Sequence, residues 1–124
     1  MLAGSVGGMA ATLADALRYA GQRSQFGRPI ASFQAVQHKL ADMKTNLETC
    51  RMAVYRAAWL KQEGLPHQPE ASIAKVLIGE LSVLNALEAV QIHGGYGYLR
   101  DFPAERALRD SKLAAIGGGT TEIQ

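Results

Sequence analysis

Apolar residues recur every three or four positions along most of the chain, which is the spacing of one face of an α-helix. The longest such pattern runs from residue 36 to residue 57. Its steps alternate between four and three, as in a heptad-like seam of a helical bundle. Its members are Val36, Leu40, Met43, Leu47, Cys50, Val54 and Ala57. An earlier helix that stops at Gly21 is predicted by a similar stripe of Leu2, Val6, Met9, Leu13, Leu17 and Ala20.

Glycine and proline residues divide the rest of the chain. Gly64, followed by Leu65-Pro66, ends the second helix, because glycine suits the left-handed cap and proline breaks a helix. A third helix is predicted from about Pro69 to the Gly94-Gly95 pair. Its apolar positions are Ile73, Val76, Leu77, Leu84, Leu87 and Val90.

A short fourth helix is predicted from about Ala104 to Ala114, and Arg23 to Ser32 is predicted to be a connector. No segment alternates as a strand does. The predicted fold is therefore all-α, an antiparallel (up-down-up-down) domain that resembles a four-helix bundle.

The composition is that of an ordinary globular domain. The chain has 124 residues, enough for one core, with 48% hydrophobic and 19% charged residues. Its net charge of +2 gives no argument for nucleic-acid binding. No apolar run approaches the roughly 20 residues of a membrane span. Cys50 lies on the seam, so we expect a buried thiol rather than a reactive one, in a reducing compartment.

The apolar pattern is abrupt at both ends. The first stripe is under way at Leu2 with no capping residue before it, and Thr120 would cap a final helix only about a turn before Gln124. We therefore expect residues 1–124 to be one domain of a larger protein, without its other domains and with the first and last helices truncated.

Three consecutive glycines, Gly117 to Gly119, precede the predicted helix start at Thr120. Glycine lets a ligand approach the backbone, and a helix N-terminus offers amide donors and a positive dipole end to an anion such as phosphate. Thr120 and Thr121 add hydroxyl groups. By spacing alone, a plain loop with a threonine cap is the favoured interpretation.

Two further segments carry candidate ligand groups. Gly94-Gly95 closes the third helix between His93 and Tyr96, and the aromatic ring could pack on a flat ligand or on the core. Arg23 and Phe26 could clamp a planar, phosphate-bearing cofactor or cap the preceding helix. The three histidines are far apart in the sequence, so a metal site is rejected.

In this order and at these separations, the segments resemble the C-terminal all-α domain of the acyl-CoA dehydrogenase family. The resemblance covers essentially the whole chain. It rests on Arg23 to Gly27, on Phe33 to Gln37 with Lys39 to Met43, on Gln91 to Tyr98, and on Pro103, Glu105, Arg106, Arg109, Asp110, Lys112 and Ile116. It implies an FAD-binding domain at the core of a homo-oligomer, a dimer or a tetramer.

The resemblance also implies which residues bind FAD. Arg23, Gln25 and Phe26 match a segment that reaches the FAD of a neighbouring subunit, with the arginine near the pyrophosphate. Phe33 and Gln34 match a second flavin contact. These five residues all lie in or just after the first connector.

The remaining implied contacts come from the end of the third helix and from the C-terminal segment. A run that lines the adenosine end of FAD across the subunit interface is matched by Gln91, Ile92, His93, Gly94 and Gly95. A stretch that touches the flavin of its own subunit is matched by Thr120, Thr121 and Glu122. Tyr96 and Gly119 match positions that line the acyl-CoA site.

The implied reaction needs a carboxylate base, which removes the proton alpha to the thioester while the beta hydrogen leaves as hydride to the flavin. Many family members carry this base as the glutamate of an Ile-Tyr-Glu-Gly-Thr segment. Here the segment is Ile116-Gly117-Gly118-Gly119-Thr120, so the glutamate position is Gly118 and no catalytic residue is assigned. Either the base lies upstream of Met1, as some branches of the family place it, or the protein lacks ordinary dehydrogenase activity. The first alternative is favoured.

The expected function is that of the C-terminal FAD-binding and oligomerisation domain of an FAD-dependent acyl-CoA dehydrogenase of fatty acid metabolism, inactive as this chain alone. The alternative is a non-catalytic helical assembly module or a degenerate relative without the base. The implied partners are an acyl-CoA substrate, further copies of the chain, and an electron-transfer flavoprotein or similar acceptor. The implied location is the cytoplasm, or the mitochondrial matrix in a eukaryote.

Overall fold

Four α-helices make up most of the structure, a computed structural model that describes residues 2–124. They are α1 (Leu2–Gln22), α2 (Gln34–Gln62), α3 (Gln68–His93) and α4 (Pro103–Ile116). Short 3-10 turns lie at Ile30–Ser32, Gly94–Tyr98 and Thr121–Ile123. The predicted all-α class is confirmed, and the predicted helix limits agree with the observed ones to about two residues.

The predicted seam of α2 is confirmed as the main apolar face of the core. Met43 and Cys50 are fully buried, and Val36 and Val54 pack partly buried against the same cluster. The expected buried thiol is confirmed, since Cys50 is buried, and this burial raises the pKa of the thiol to about 11. The remaining buried members of the seam are Leu40, Leu47 and Ala57.

The first stripe is wrong at one position. Leu13 and Ala20 are buried as predicted, but Leu17 is 50% exposed and Ala16 is buried in its place. Three residues after Leu13, Ala16 lies on the face that α1 directs towards α2 and α3, whereas Leu17 lies outside it.

Helix α3 is the centre of the domain and packs against α1, α2 and α4. The predicted inner face of α3 is wrong at Ile73, Leu84 and Leu87, which are about half exposed. A helix enclosed by three others must present small side chains if all three are to approach closely. The buried residues are accordingly Ala74, Lys75, Ile78, Gly79, Ser82, Asn85, Ala86, Ala89, Ile92 and His93.

A buried amide joins α2 to α3. The Asn85 side chain is 1% exposed, and its Nδ2 donates to the carbonyl oxygen of Met43 at 2.9 Å. Its Oδ1 accepts from Asn46 Nδ2 at 2.9 Å. Because a buried amide is costly unless it is bonded, these two bonds favour one register of α2 against α3.

The connector after α1 contains a small β-hairpin that the pattern of apolar residues does not predict. Strand β1 (Ser24–Gln25) pairs antiparallel with strand β2 (Arg28–Pro29) around Phe26 and Gly27. Both turn residues have positive φ, 52° and 78°, as in the two-residue turns that suit hairpins. Strands of two residues are too short to show an alternating pattern, which is why only a connector was predicted.

Within the described part of the chain, no helix is long and apolar enough to cross a membrane.

Candidate functional site

A cleft of about 500 Å³ lies where the end of α1 and the hairpin meet the end of α3. Residues far apart in the sequence line it together, and seven of them are predicted site residues. These are Arg23, Gln25, Ile92, His93, Gly94, Gly95 and Tyr96. The remaining lining residues are Tyr19, Ile30 and Leu99. The structure therefore brings the first connector and the end of α3 into one site.

Arg23 stands at this cleft with its guanidinium over the ring of Tyr96, 5.5 Å from the ring centroid. The residue is exposed and enters no ion pair with any carboxylate of the described chain. Its donors are therefore free to meet an anionic group, which arginine does with two parallel hydrogen bonds.

His93 is packed at the floor of the cleft. It is 4% exposed, and the Tyr19 ring stacks on it with 4.2 Å between centroids. The Tyr19 hydroxyl also donates to the His93 carbonyl oxygen at 3.2 Å. Phe102 packs edge-on against both rings, at 5.8 Å from His93 and 5.9 Å from Tyr19.

The ring nitrogens of His93 have different roles. Nδ1 lies 2.7 Å from the carbonyl oxygen of Ala89, and since a carbonyl only accepts, Nδ1 carries the proton. In the neutral ring Nε2 is then a hydrogen-bond acceptor. The residues that orient this ring, Tyr19 and Phe102, were not predicted. One signal existed for Tyr19, because it precedes Arg23 by four positions at the end of a helix.

The predicted pair Phe26 and Phe33 lies beside this cleft, at the hairpin and the start of α2. Phe26 is 92% exposed at the turn, and its ring meets that of Phe33 edge-on at 6.2 Å. The Arg28 guanidinium covers the Phe33 ring at 4.3 Å from its centroid. Gln34 is exposed as the first residue of α2, and Gln91 is exposed in the last turn of α3.

The third predicted group, Thr120 to Glu122, is not in this cleft. The Thr121 hydroxyl donates to the Ala115 carbonyl oxygen at 3.3 Å, at the C-terminal end of α4. The pKa of the Glu122 carboxyl is lowered, chiefly by the nearby Glu122 backbone amide and the Thr120 hydroxyl. Thr120 does precede a helical turn, but the predicted threonine cap is wrong. The turn is a 3-10 turn, and the Thr120 side chain makes no capping hydrogen bond to it.

The two groups lie at opposite ends of α3. The C-terminal segment contacts the first turns of α3, where Ser72 Oγ donates to Gln124 Oε1 at 3.4 Å. The cleft is lined by Ile92 and His93 at the last turn. Twenty helical residues separate Ser72 from Ile92, a distance of about 30 Å. Tyr96 and Gly119, the two positions matched to acyl-CoA, are divided in the same way.

A family model described as acyl-CoA dehydrogenase, C-terminal domain, matches residues 1–124. The chain belongs to the acyl-CoA dehydrogenase family. An acyl-CoA dehydrogenase of Bacillus subtilis is 54% identical over 114 residues, which are 92% of this chain and 30% of that protein. The solved structure of butyryl-CoA dehydrogenase from Megasphaera elsdenii matches with a TM-score of 0.96 and 46% identity, over 98% of this chain and 32% of that one.

A third relative of this acyl-CoA dehydrogenase domain is the caffeyl-CoA reductase-Etf complex subunit CarC of Acetobacterium woodii. It is 42% identical over 120 residues, which are 97% of this chain and 32% of that protein. The chain thus spans about a third of the length of these relatives. The resemblance seen in the sequence is confirmed, and the family is one of flavoprotein oxidoreductases with a helical C-terminal domain.

In this acyl-CoA dehydrogenase domain, Gly118 is the position that the sequence resemblance matched to the glutamate base. Its φ is 72°, and that of Gly119 is 102°. An L side chain in the left-handed region costs about 1–2 kcal/mol. The backbone here therefore suits glycine, and a glutamate introduced at Gly118 would be strained unless the turn changed.

Proposed function

We propose that this chain is the C-terminal FAD-binding and oligomerisation domain of a longer FAD-dependent acyl-CoA dehydrogenase, which dehydrogenates an acyl-CoA between its alpha and beta carbons. The observation that supports it most is the single cleft that unites Arg23 with His93, Gly94 and Gly95. The chain alone is expected to show no dehydrogenase turnover.

The groups at the cleft fit a dinucleotide cofactor. Arg23 offers a free guanidinium for a pyrophosphate, and the exposed backbone of Gly94 and Gly95 has open space before it. His93 offers Nε2 as an acceptor for a hydroxyl or amine donor of the ligand. Phe26 presents an exposed ring for packing. When bound, FAD would supply the oxidant that accepts the hydride.

The distance along α3 supports a cofactor shared between subunits. Thr120, Thr121 and Glu122 belong to the segment that contacts the first half of α3, whereas the cleft lies at the last turn of α3. In our proposal each chain therefore contributes the cleft to the FAD of a neighbour and the C-terminal segment to its own FAD. Tyr96 and Gly119 of one chain would likewise belong to two different acyl-CoA sites.

Exposed apolar side chains support assembly. Ile73, Leu84 and Leu87 project from α3, and Met52, Tyr55 and Trp59 form a second stripe on α2. Large apolar patches on a soluble domain mark interaction surfaces. We propose that copies of the chain cover these faces in a dimer or a tetramer.

The chain itself supplies no base at Gly118. The proposed base is a glutamate upstream of Met1, and the electron acceptor of the enzyme is an electron-transfer flavoprotein or a similar protein. The relative from Acetobacterium woodii, whose name includes an Etf complex, supports that acceptor. We place the enzyme in the cytoplasm, or in the mitochondrial matrix of a eukaryote.

The flavin assignment is tested by Arg23→Ala in the longer protein. Loss of a charge-assisted hydrogen bond to phosphate should weaken FAD binding roughly 10- to 100-fold, measured by fluorescence titration. Arg18→Ala is the matched control, since Arg18 is an exposed arginine of α1 that pairs with Asp15. Equal FAD affinity in both variants would contradict the role of Arg23, and a wild-type protein that stays colourless with added FAD would contradict the function.

The second candidate is a non-catalytic assembly module, and it is favoured by the missing side chain at Gly118. The residues upstream of Met1 discriminate between the two. A glutamate two or three positions before Met1 supports the enzyme, and its absence supports the module.

A further inference from the structure

Lys75 is the one lysine, arginine, aspartate or glutamate that the described residues bury. It is 4% exposed, in the second turn of α3. No carboxylate of the chain from residue 2 onwards pairs with it, unlike Lys39 and Lys44, which pair with Glu88 and Glu48. A buried charge without a counter-ion is strongly unfavourable, so its hydrogen bonding needs an explanation.

The partner of Lys75 is the end of α4. Its Nζ donates to the carbonyl oxygen of Ala114 at 2.7 Å. The last carbonyls of a helix lack intrahelical donors and carry the negative end of the helix dipole. A buried ammonium therefore finds both a hydrogen-bond acceptor and a favourable potential at this place.

A neighbouring carbonyl of this last turn also has a side-chain donor. The Leu113 carbonyl keeps an ordinary helical bond from the Gly117 amide at 2.7 Å, but the Ala115 carbonyl accepts from the Thr121 hydroxyl at 3.3 Å. With Lys75 on Ala114, two consecutive carbonyls are bonded by side chains from outside α4. The end of α4 is thus specified by tertiary contacts and not by its own sequence alone.

Helix α3 approaches the same turn closely one turn beyond Lys75. A Cβ added to Gly79 would lie 3.1 Å from Ala115 Cα. One turn before Lys75, Ser72 reaches Gln124. Since Ser72, Lys75 and Gly79 share one face of α3, this face contacts the chain just before and just after the glycine-rich segment that follows α4.

From this geometry we propose that Lys75 is a positioning residue, whose buried ammonium fixes the end of α4 and thereby the Gly117–Glu122 segment. Gly118 and Gly119 are adjacent and have left-handed backbones, so the segment has little regular structure of its own. The contribution of Lys75 to flavin binding rests on the proposed function, because Lys75 would position Thr120 to Glu122.

The test is Lys75→Met, which keeps the apolar stem and removes the ammonium, against Lys44→Met on the exposed face of α2. Amide hydrogen exchange is measured without flavin at Gly117, Ile123 and Gln124. We expect exchange about tenfold faster in Lys75→Met, unchanged exchange in α2, partial recovery in Lys75→Arg, and no effect of Lys44→Met. Unchanged exchange in Lys75→Met would overturn the proposal.

A second measurement does not depend on whether the variant folds. In the wild-type chain, NMR of the Lys75 ammonium should show slow proton exchange and a coupling through the hydrogen bond to the Ala114 carbonyl carbon. A fast-exchanging ammonium without that coupling would overturn the proposal.

The effect of Lys75 on FAD binding is measured separately, in the longer protein. FAD affinity reduced in Lys75→Met and partly restored in Lys75→Arg supports it, and equal affinity overturns it. A wild-type protein that binds no FAD would instead refute the proposed function and leave the exchange result valid.

Discussion

Helices α2 and α3 pack against each other, yet they place their large apolar side chains in opposite directions. In α2 the large residues of the seam face the core, with Met43 and Leu47 buried. In α3 the core face consists largely of small and polar residues, while Leu84 and Leu87 are about half exposed. The period of both patterns is helical, so period alone does not reveal which face is buried.

The difference follows from the number of neighbours. Helix α3 packs against three other helices, and small residues let all three approach. Helix α2 lies at the edge of the domain, and it packs against α1 and α3 through its single seam of large apolar residues. In the proposed oligomer, contacts between chains would cover the outward leucines of α3.

The largest expected effect that tests this comparison is Met43→Ala. Met43 is fully buried, so the cavity should lower the free energy of unfolding by about 2–5 kcal/mol in urea titrations. Met52→Ala, on the same helix but 64% exposed, is the control and should cost much less. Equal losses in the two variants would refute the assignment of the buried face of α2.

The next effect is a pH dependence of the free energy of unfolding, caused by the burial of Cys50 in the seam of α2. The Cys50 pKa rises from 9.0 to about 11 on folding. The unfolded thiol therefore ionises first, so this thiol favours unfolding progressively as the pH rises from 9 to 11, by up to about 3 kcal/mol. Urea titrations of wild type and Cys50→Ala should converge or cross in this range. Curves that stay parallel would contradict the burial of the thiol.

A smaller effect is expected from overpacking the small face of α3. Ala89 is 1% exposed within the core cluster, so Ala89→Leu should destabilise the chain by about 1–3 kcal/mol in thermal or urea unfolding. Ala58→Leu places the same side chain at an exposed position of α2 and should be nearly neutral. A neutral Ala89→Leu would show that α3 has room for larger residues.

The smallest effect on unfolding is expected on the outer face of α3. Leu84→Glu should change monomer stability by about 0.5 kcal/mol or less, because surface substitutions cost little. It should nevertheless weaken self-association, measured by sedimentation. Gln68→Glu adds the same charge at an exposed position of α3 and serves as the control. A variant that associates as strongly as wild type would place the interface elsewhere.

Part of the site was predictable and part was not. Arg23, His93 and the glycine pair, which the structure brings into one cleft, were predicted because their types and order form a recognisable set in the sequence. Tyr19, Phe102 and Lys75 were not found, because an aromatic residue or a lysine within a helix is ordinary until its contacts are known. The hairpin was missed because two-residue strands leave no periodic signal.

The sequence by itself determined the helices, the glycine-rich breaks between them, the buried thiol and the family. These depend on local periodicity, backbone preference and residue order. Only the tertiary structure decided which face of α3 is buried, which residues share the cleft, and how the end of α4 is held. Those features depend on the number and position of neighbouring helices, which no single segment of the sequence encodes.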